Sequence, residues 1–240
     1  MPAPLRPIAF FLLLIAINQI GMTQDARIAV RFLAFPAHAQ PEPVELIISK
    51  KETIEINTPG HRMSKTYSVP PLSQIIVGKS GIDEAGNPKF DVYGKAKALP
   101  AKEQIVLLLR KGKENSAGFV VLPVNAQKND FPGGSFMFIN ASGSQCAGII
   151  GDKKFALKPG QQKLLTPKPN FNGDVCQVSL SYLREEEKGI RWKLFLDGRW
   201  STDKDMRTVA FFYQHPKTGK VSIAPVIEII GADIAPPPEE

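Results

Sequence analysis

The chain has 240 residues, a formal net charge of +7, 43% hydrophobic residues and 22% charged residues. This composition is ordinary for a globular protein, and the length allows one large domain or two of about 100 residues. The positive charge is shared between both halves, with no basic tail and no basic helical stripe, so we expect no nucleic-acid partner.

Residues 1–25 have the pattern of a signal peptide. Arg6 precedes an uncharged segment whose apolar centre, residues 8–17, is shorter than the roughly 20 residues of a membrane-spanning helix. An uncleaved signal anchor is the alternative. Cleavage within residues 20–26 is preferred to cleavage after Ala-His-Ala at 37–39, because the later site would remove a predicted core strand. We therefore expect an exported protein, periplasmic or extracellular, with no transmembrane segment in the mature chain.

Short apolar segments then recur about every ten residues with Gly, Pro and Asn between them, which predicts β-sandwiches rather than helices. A polar linker, 125–134, separates a first unit (26–124) from a second (135–232), and a Pro/Glu tail occupies 233–240. The strands predicted in the first unit are 27–35, 44–49, 53–57, 65–69, 74–78, 89–97, 104–111 and 118–124. Those predicted in the second are 135–140, 145–150, 153–157, 162–166, 174–183, 190–196, 206–213 and 220–229.

The two units repeat each other. The predicted hairpin at 105–124 has the same shape as the one at 208–226, and in both the second strand ends in a proline. Upstream, "IISKKETIEINTPG" at 47–60 parallels "IIGDKKFALKPG" at 149–160. Landmarks in the same order about 100 residues apart favour a duplicated domain, although similar hairpins could also coincide by chance. The sequence therefore predicts an all-β protein of two tandem immunoglobulin-like sandwiches.

Two cysteines, Cys146 and Cys176, leave two interpretations open. In an exported protein they could form a disulfide, and the loop of about 30 residues would contribute roughly 3 kcal/mol. Two buried free thiols are the alternative. With two cysteines and three histidines the chain lacks the repeated ligands of a structural zinc site, so no metal is predicted.

The segment "DGRWSTDKD" (197–205) is the best candidate ligand site. It places Asp197, Asp203 and Asp205 beside Trp200 in a predicted loop. An exposed Trp could stack on a sugar and the carboxylates could bind sugar or Ca²⁺. The alternative is a turn whose aspartates make only local backbone hydrogen bonds.

The alternating segment "IRWKLFL" predicts that Ile190, Trp192, Leu194 and Leu196 share one buried face of a strand. Trp192 is therefore interpreted as core rather than as a ligand platform.

The chain contains no nucleophile elbow, no phosphate-binding loop and no dinucleotide-binding fingerprint. The three histidines fall in predicted loops or turns, at His38, His61 and His215. We therefore predict no enzyme, no catalytic residue and no cofactor.

The segment "FPGGSFMFINASGSQCAGIIGDKKFALKPGQ" (131–161) resembles a stretch that recurs in uncharacterised exported bacterial proteins. That resemblance implies a β-sandwich and no established activity. The plan of two exported sandwiches is also similar to that of periplasmic pilus chaperones, which donate a strand to a subunit with an incomplete sheet. No chaperone motif can be placed on particular residues of this chain.

These observations predict a non-enzymatic binding or assembly module of the cell envelope that acts through sheet edges and loops. Strand 104–111 is expected to be an edge, and Pro123 and Pro225 are expected on edge or terminal strands, because proline removes a ladder donor. The partner is expected to be an envelope protein or a polysaccharide. The alternative is a carbohydrate-binding module that uses the 197–205 segment.

Overall fold

The computed structural model describes residues 27–36, 44–110, 118–171, 173–186 and 189–231. The predicted signal peptide and the predicted tail lie outside these ranges. The described residues are all-β and contain no helix, as predicted.

Every predicted strand is confirmed to within a few residues, except that three strands, at 74–82, 175–186 and 189–201, are longer than expected. The first unit contains β1 (Ile28–Phe35), β2 (Val44–Ile47), β3 (Thr53–Ile56), β4 (Tyr67–Val69), β5 (Gln74–Ile82), β6 (Pro88–Lys97), β7 (Glu103–Arg110) and β8 (Phe119–Asn125). The second contains β9 (Phe136–Asn140), β10 (Cys146–Ile150), β11 (Lys153–Leu157), β12 (Gln162–Leu165), β13 (Val175–Glu186), β14 (Gly189–Ser201), β15 (Met206–Gln214) and β16 (Val221–Ile229).

The two units have the same topology. In the first unit an inner sheet, β4-β1-β7-β8, faces an outer sheet, β3-β2-β5-β6. In the second unit the inner sheet is β12-β9-β15-β16 and the outer sheet is β11-β10-β13-β14, so each strand number is eight higher. Both inner sheets contain one parallel pair, β1 with β7 and β9 with β15, within otherwise antiparallel pairing. This agreement supports the duplication predicted from the hairpins.

Three hydrophobic cores separate four layers of sheet. One core lies within each unit, and a third lies between the two inner sheets. Strands of the inner sheets are therefore buried on both faces and read as continuous apolar runs, such as "IVLLL" in β7. In the third core the Phe35 ring stacks on Phe211, with ring centroids 4.4 Å apart. The two units thus pack against each other through a common hydrophobic core.

The prediction that strand 104–111 is a sheet edge is wrong. It corresponds to β7, which lies between β1 and β8, and Ile105–Leu108 are fully buried. A strand that is buried on both faces and paired on both sides offers no surface to a partner. The prolines behave as predicted, since Pro123 and Pro225 lie on β8 and β16, which are edge strands.

A buried ion cluster joins the units beside the third core. The carboxylate of Glu228 accepts hydrogen bonds from Arg207, at 2.5 Å from Nε and 3.2 Å from Nη2, and also pairs with Arg31. Arg207 Nη1 donates to the carbonyl oxygens of Ala126 (2.7 Å) and Phe131 (2.9 Å). Burial, and then the charge of Arg31, lower the pKa of Arg207 to about 10. The segment predicted to be a polar linker is therefore anchored, with the Phe131 side chain fully buried.

Candidate functional site

The structure does not place the predicted 197–205 site in one loop. Strand β14 continues to Ser201, so Asp197 and Trp200 lie on a strand. The indole of Trp200 packs into the second core, with its ring centroid 5.8 Å from that of Phe136 and 6.1 Å from that of Phe138. The aromatic surface expected to stack on a sugar is thus already used for packing within the protein.

Two of the three aspartates, Asp197 and Asp203, accept hydrogen bonds through their carboxylates. Asp197 accepts from Gln177 Nε2 at 2.6 Å and from Ser179 Oγ at 2.8 Å, and these bonds, the one from Ser179 first, lower its pKa. Asp203 Oδ1 accepts from the backbone N–H of Asp205 at 2.8 Å, which closes the turn after β14. Across the part of the chain that the structure describes, no group of three or more potential ligands could hold a metal ion. The Asp203 contact matches the turn interpretation, whereas Asp197 lies on a strand and bonds to side chains of β13.

The two cysteines are free and buried, so the disulfide alternative is not what the structure shows. Cys146 on β10 is opposite Tyr182 on β13, and Cys176 lies six residues from Tyr182 along that strand. At about 3.4 Å per residue this separates the two positions by roughly 20 Å. A disulfide requires Cα atoms about 4.4–6.8 Å apart. Burial raises the pKa of both thiols.

The prediction that Trp192 is part of the core is also wrong, and the reason is a β-bulge. The pairing of β13 with β14 shifts between Leu180, opposite Leu196, and Ser181, opposite Leu194, so Phe195 is the extra residue. An extra residue reverses the alternation of the side chains that follow it. Phe195 takes the inward position, where its ring centroid lies 5.8 Å from that of Tyr182.

On the N-terminal side of the bulge, three apolar side chains of β14 are exposed. The exposed fraction is 66% for Ile190, 49% for Trp192 and 55% for Leu194, and we call this set the β14 stripe. Leu183 lies opposite Trp192 on β13 and is half-buried. Large apolar side chains in a contiguous exposed row are uncommon on isolated soluble proteins and mark interaction surfaces.

The stripe also lies on an open strand edge. Since β14 is the terminal strand of its sheet, no other strand of the residues that the structure describes pairs with the outer side of its backbone. The backbone N–H of Leu183 donates to the Gln145 carbonyl at 2.8 Å, on the side of β13 away from β14. The pair Leu183–Trp192 is therefore not hydrogen-bonded, and the N–H and C=O of Trp192 point outward. The same alternation directs the backbone groups of Ile190 and Leu194 to the open edge.

Basic residues alternate with the stripe. Arg191 and Lys193 point to the other face of the hairpin, where Lys193 lies opposite Tyr182 and Arg191 opposite Arg184. The sequence "IRWKL" therefore gives β14 an apolar row on one face and a positive row on the other.

The corresponding strand of the first unit, β6, has the same bulge but a different edge. Its register shifts between Val77, opposite Gly94, and Gly78, opposite Val92, so Tyr93 takes the place of Phe195. A Cβ on Gly94 would lie 2.7 Å from the Phe119 carbonyl oxygen on β8, so β6 approaches β8 very closely there. In the second unit this position is Leu196, whose Cβ excludes an equally close approach.

No protein-family model matches the chain, and no curated protein matches it in sequence. Within the described ranges, no helix is long and apolar enough to cross a bilayer.

Proposed function

We propose that the protein is an exported, non-enzymatic binding module of the cell envelope, built from two immunoglobulin-like sandwiches, that takes up a partner protein along the open edge of β14. The observation that carries this proposal is the β14 stripe. Its three residues have exposed apolar side chains and also direct their backbone N–H and C=O groups to the open edge. A partner strand added there would gain main-chain hydrogen bonds and apolar contact together.

Natural sheets usually protect such edges. Short strands, prolines and close coverage prevent uncontrolled pairing, and this chain uses each of them elsewhere: β4 is a three-residue edge strand, β8 and β16 carry prolines, and β6 approaches β8 at Gly94. Strand β14 has thirteen residues and no proline, and it combines a free backbone edge with large apolar side chains. This contrast favours binding over protection as the role of β14.

Export rests on the apolar segment of the first 25 residues, which lies outside the described ranges. Placement in the periplasm or at the cell surface follows from that signal pattern alone. The carbohydrate-binding alternative at 197–205 has less support than the edge proposal, because Trp200 is packed against two phenylalanine rings.

Site-specific photocrosslinking in the producing cells tests the proposal. The photoreactive residue benzoylphenylalanine replaces Leu194 in one variant and Val120 in a matched control. Val120 is 47% exposed, also on an edge strand, but in the other unit. We expect a discrete crosslinked protein from position 194 and none from position 120. Identical patterns from both positions, or no adduct from either, would contradict binding at β14.

A further inference from the structure

We propose that the partner segment bound at β14 is an extended strand in which apolar and acidic side chains alternate. This inference rests on the proposed function and names the chemistry of the partner at the same site.

The apolar half of this pattern follows from the stripe. A strand that pairs with the open edge of β14 directs alternate side chains to the outer face, next to Ile190, Trp192 and Leu194. Cross-strand neighbours on one face are about 5 Å apart, and pairs of an aromatic with a β-branched residue are favourable. Apolar side chains in the added strand would therefore cover the exposed part of the stripe.

The acidic half follows from the residues between those of the stripe. The remaining side chains of an added strand would lie beside Arg191 and Lys193, and Arg184 lies opposite Arg191 on the neighbouring strand β13. On the outer face the charged neighbours are Glu185, opposite Ile190, and Asp197, which is beyond the bulge and bonded to Gln177 and Ser179. The face that receives the alternate side chains is thus positive, and carboxylates placed there form favourable cross-strand pairs.

A second copy of the chain does not fit this edge. Pairing β14 with another β14 would bring Arg191 and Lys193 beside the same residues of the other copy, and like charges across strands are destabilising. Strand β6 carries Lys89, Lys95 and Lys97 against one acidic residue, so it is equally unsuited. The chain's own C-terminal segment contains three consecutive prolines at 236–238, which have no N–H to donate to an added ladder.

Peptide titration against the mature protein tests the inference. The probes are two synthetic peptides of about ten residues, the length of a long strand, in which valine alternates either with glutamate or with lysine. We expect the glutamate peptide to bind about tenfold more tightly, since two or three favourable cross-strand pairs together give that ratio. Charge reversal by Arg191→Glu with Lys193→Glu should reverse the preference.

A pair of substitutions at Leu194 locates the bound peptide. Leu194→Pro removes an N–H that faces the open edge but no bond between β13 and β14, whereas Leu194→Ala keeps the N–H and removes only the side chain. We expect Leu194→Pro to abolish binding and Leu194→Ala to weaken it. Thermal unfolding of both variants checks that the sandwich is intact, and if Leu194→Pro does not fold, the charge-reversal variant still decides the result.

The outcomes separate the two proposals. If both peptides bind equally and Leu194→Pro abolishes that binding, the acidic chemistry is overturned and β14 remains the binding site. Absence of binding by either peptide, or binding that neither Leu194→Pro nor charge reversal changes, would overturn the partner chemistry. In that case photocrosslinking at position 194 decides separately whether β14 is a binding edge. Concentration-dependent dimers that Leu194→Pro abolishes would show a second copy as the occupant and overturn the inference.

Discussion

The outer hairpins of the two units, β5–β6 and β13–β14, have the same backbone plan but different edges. Both have one extra residue at the same point of the second strand, Tyr93 in one and Phe195 in the other. In the first hairpin Gly94 lets β6 approach β8, whereas in the second Leu196 fills the corresponding position. The two hairpins thus share the bulge, which sets the direction of the side chains, but differ in the residue that determines how closely the edge is covered.

The same comparison applies where the units meet. Position 31 of the first unit corresponds to position 137 of the second, and the residues are Arg31 and Met137. Position 103 corresponds to position 207, where Glu103 is replaced by Arg207. Equivalent positions in the two inner sheets therefore carry different charges, and the resulting asymmetry produces the ion cluster around Glu228.

The largest effect is expected for Glu228→Ala. This change leaves Arg31 and Arg207 without their shared carboxylate beside an apolar interior, and removal of one partner from a buried ion pair costs about 3–5 kcal/mol. We expect a decrease of that size in the free energy of unfolding, measured by urea denaturation. Arg31→Met is the control, because it introduces the residue that the second unit has at this position and leaves Glu228 paired with Arg207. A larger loss for Arg31→Met than for Glu228→Ala would contradict the assigned role of Glu228.

A second test compares two tryptophans of one strand on either side of the bulge. Trp200→Ala removes an indole that packs on Phe136 and Phe138, so we expect a loss of about 3 kcal/mol in unfolding free energy. Trp192→Ala changes an exposed side chain and should alter stability by roughly 0.5 kcal/mol or less. Similar losses for both substitutions would mean that the bulge does not divide β14 as described.

A third test concerns the covered edge of the first unit. Gly94→Ala introduces a Cβ 2.7 Å from a backbone carbonyl oxygen, which cannot move without shifting β8, so we expect a loss of about 1–3 kcal/mol. Gly81→Ala is a matched control on the same hairpin, since its added Cβ would meet nothing closer than 4.0 Å. Thermal unfolding of both variants measures the difference. If Gly81→Ala is the more destabilising, the close approach of β6 to β8 is not important for stability.

Strand positions were predictable because alternation and turn residues are local properties. The third core was not predicted, although the sequence contains its signal. In β1, Phe32 packs in the first core, and Leu33 and Phe35 on the opposite face are buried as well. Runs such as "IVLLL" have no polar face, and this pattern is typical of strands covered on both sides. The prediction that β7 is an edge failed for a separate reason, because the pairing of β7 with β1 and β8 depends on topology, which an apolar run does not specify.

The β14 stripe could not be predicted from alternation, because a bulge is not visible in the pattern of apolar residues. "IRWKLFL" fits one continuous alternation, yet Phe195 and Leu196 both pack toward the core. Ile190, Trp192 and Leu194 before them therefore face solvent instead of the core. Trp200 was expected to be exposed because it lies among polar residues, but its neighbours Phe136 and Phe138 come from a strand about 60 residues earlier in the chain. Contacts of this range depend on topology, which composition does not specify.

A small effect is also expected for Cys146→Val, which gives the second unit the residue that the first has at the corresponding position, the buried Val44. A free buried cysteine behaves as a small apolar side chain, so the substitution should change unfolding free energy by less than about 1 kcal/mol. Loss of a native disulfide would instead cost about 2–5 kcal/mol.

Alkylation without reductant gives an independent check on the same point. The thiolate is the reactive form, and burial raises the pKa of both thiols, so Cys146 and Cys176 should resist iodoacetamide at neutral pH in the folded protein. Both should react once urea unfolds the chain, and mass spectrometry would count the added groups. A chain that stays unmodified in urea until a reductant is added must contain the disulfide, and the register of β10 with β13 would then be incorrect, because it separates the two sulfurs by several residues of strand. The alkylation count therefore tests the strand pairing that also determines which residues of β14 face the open edge.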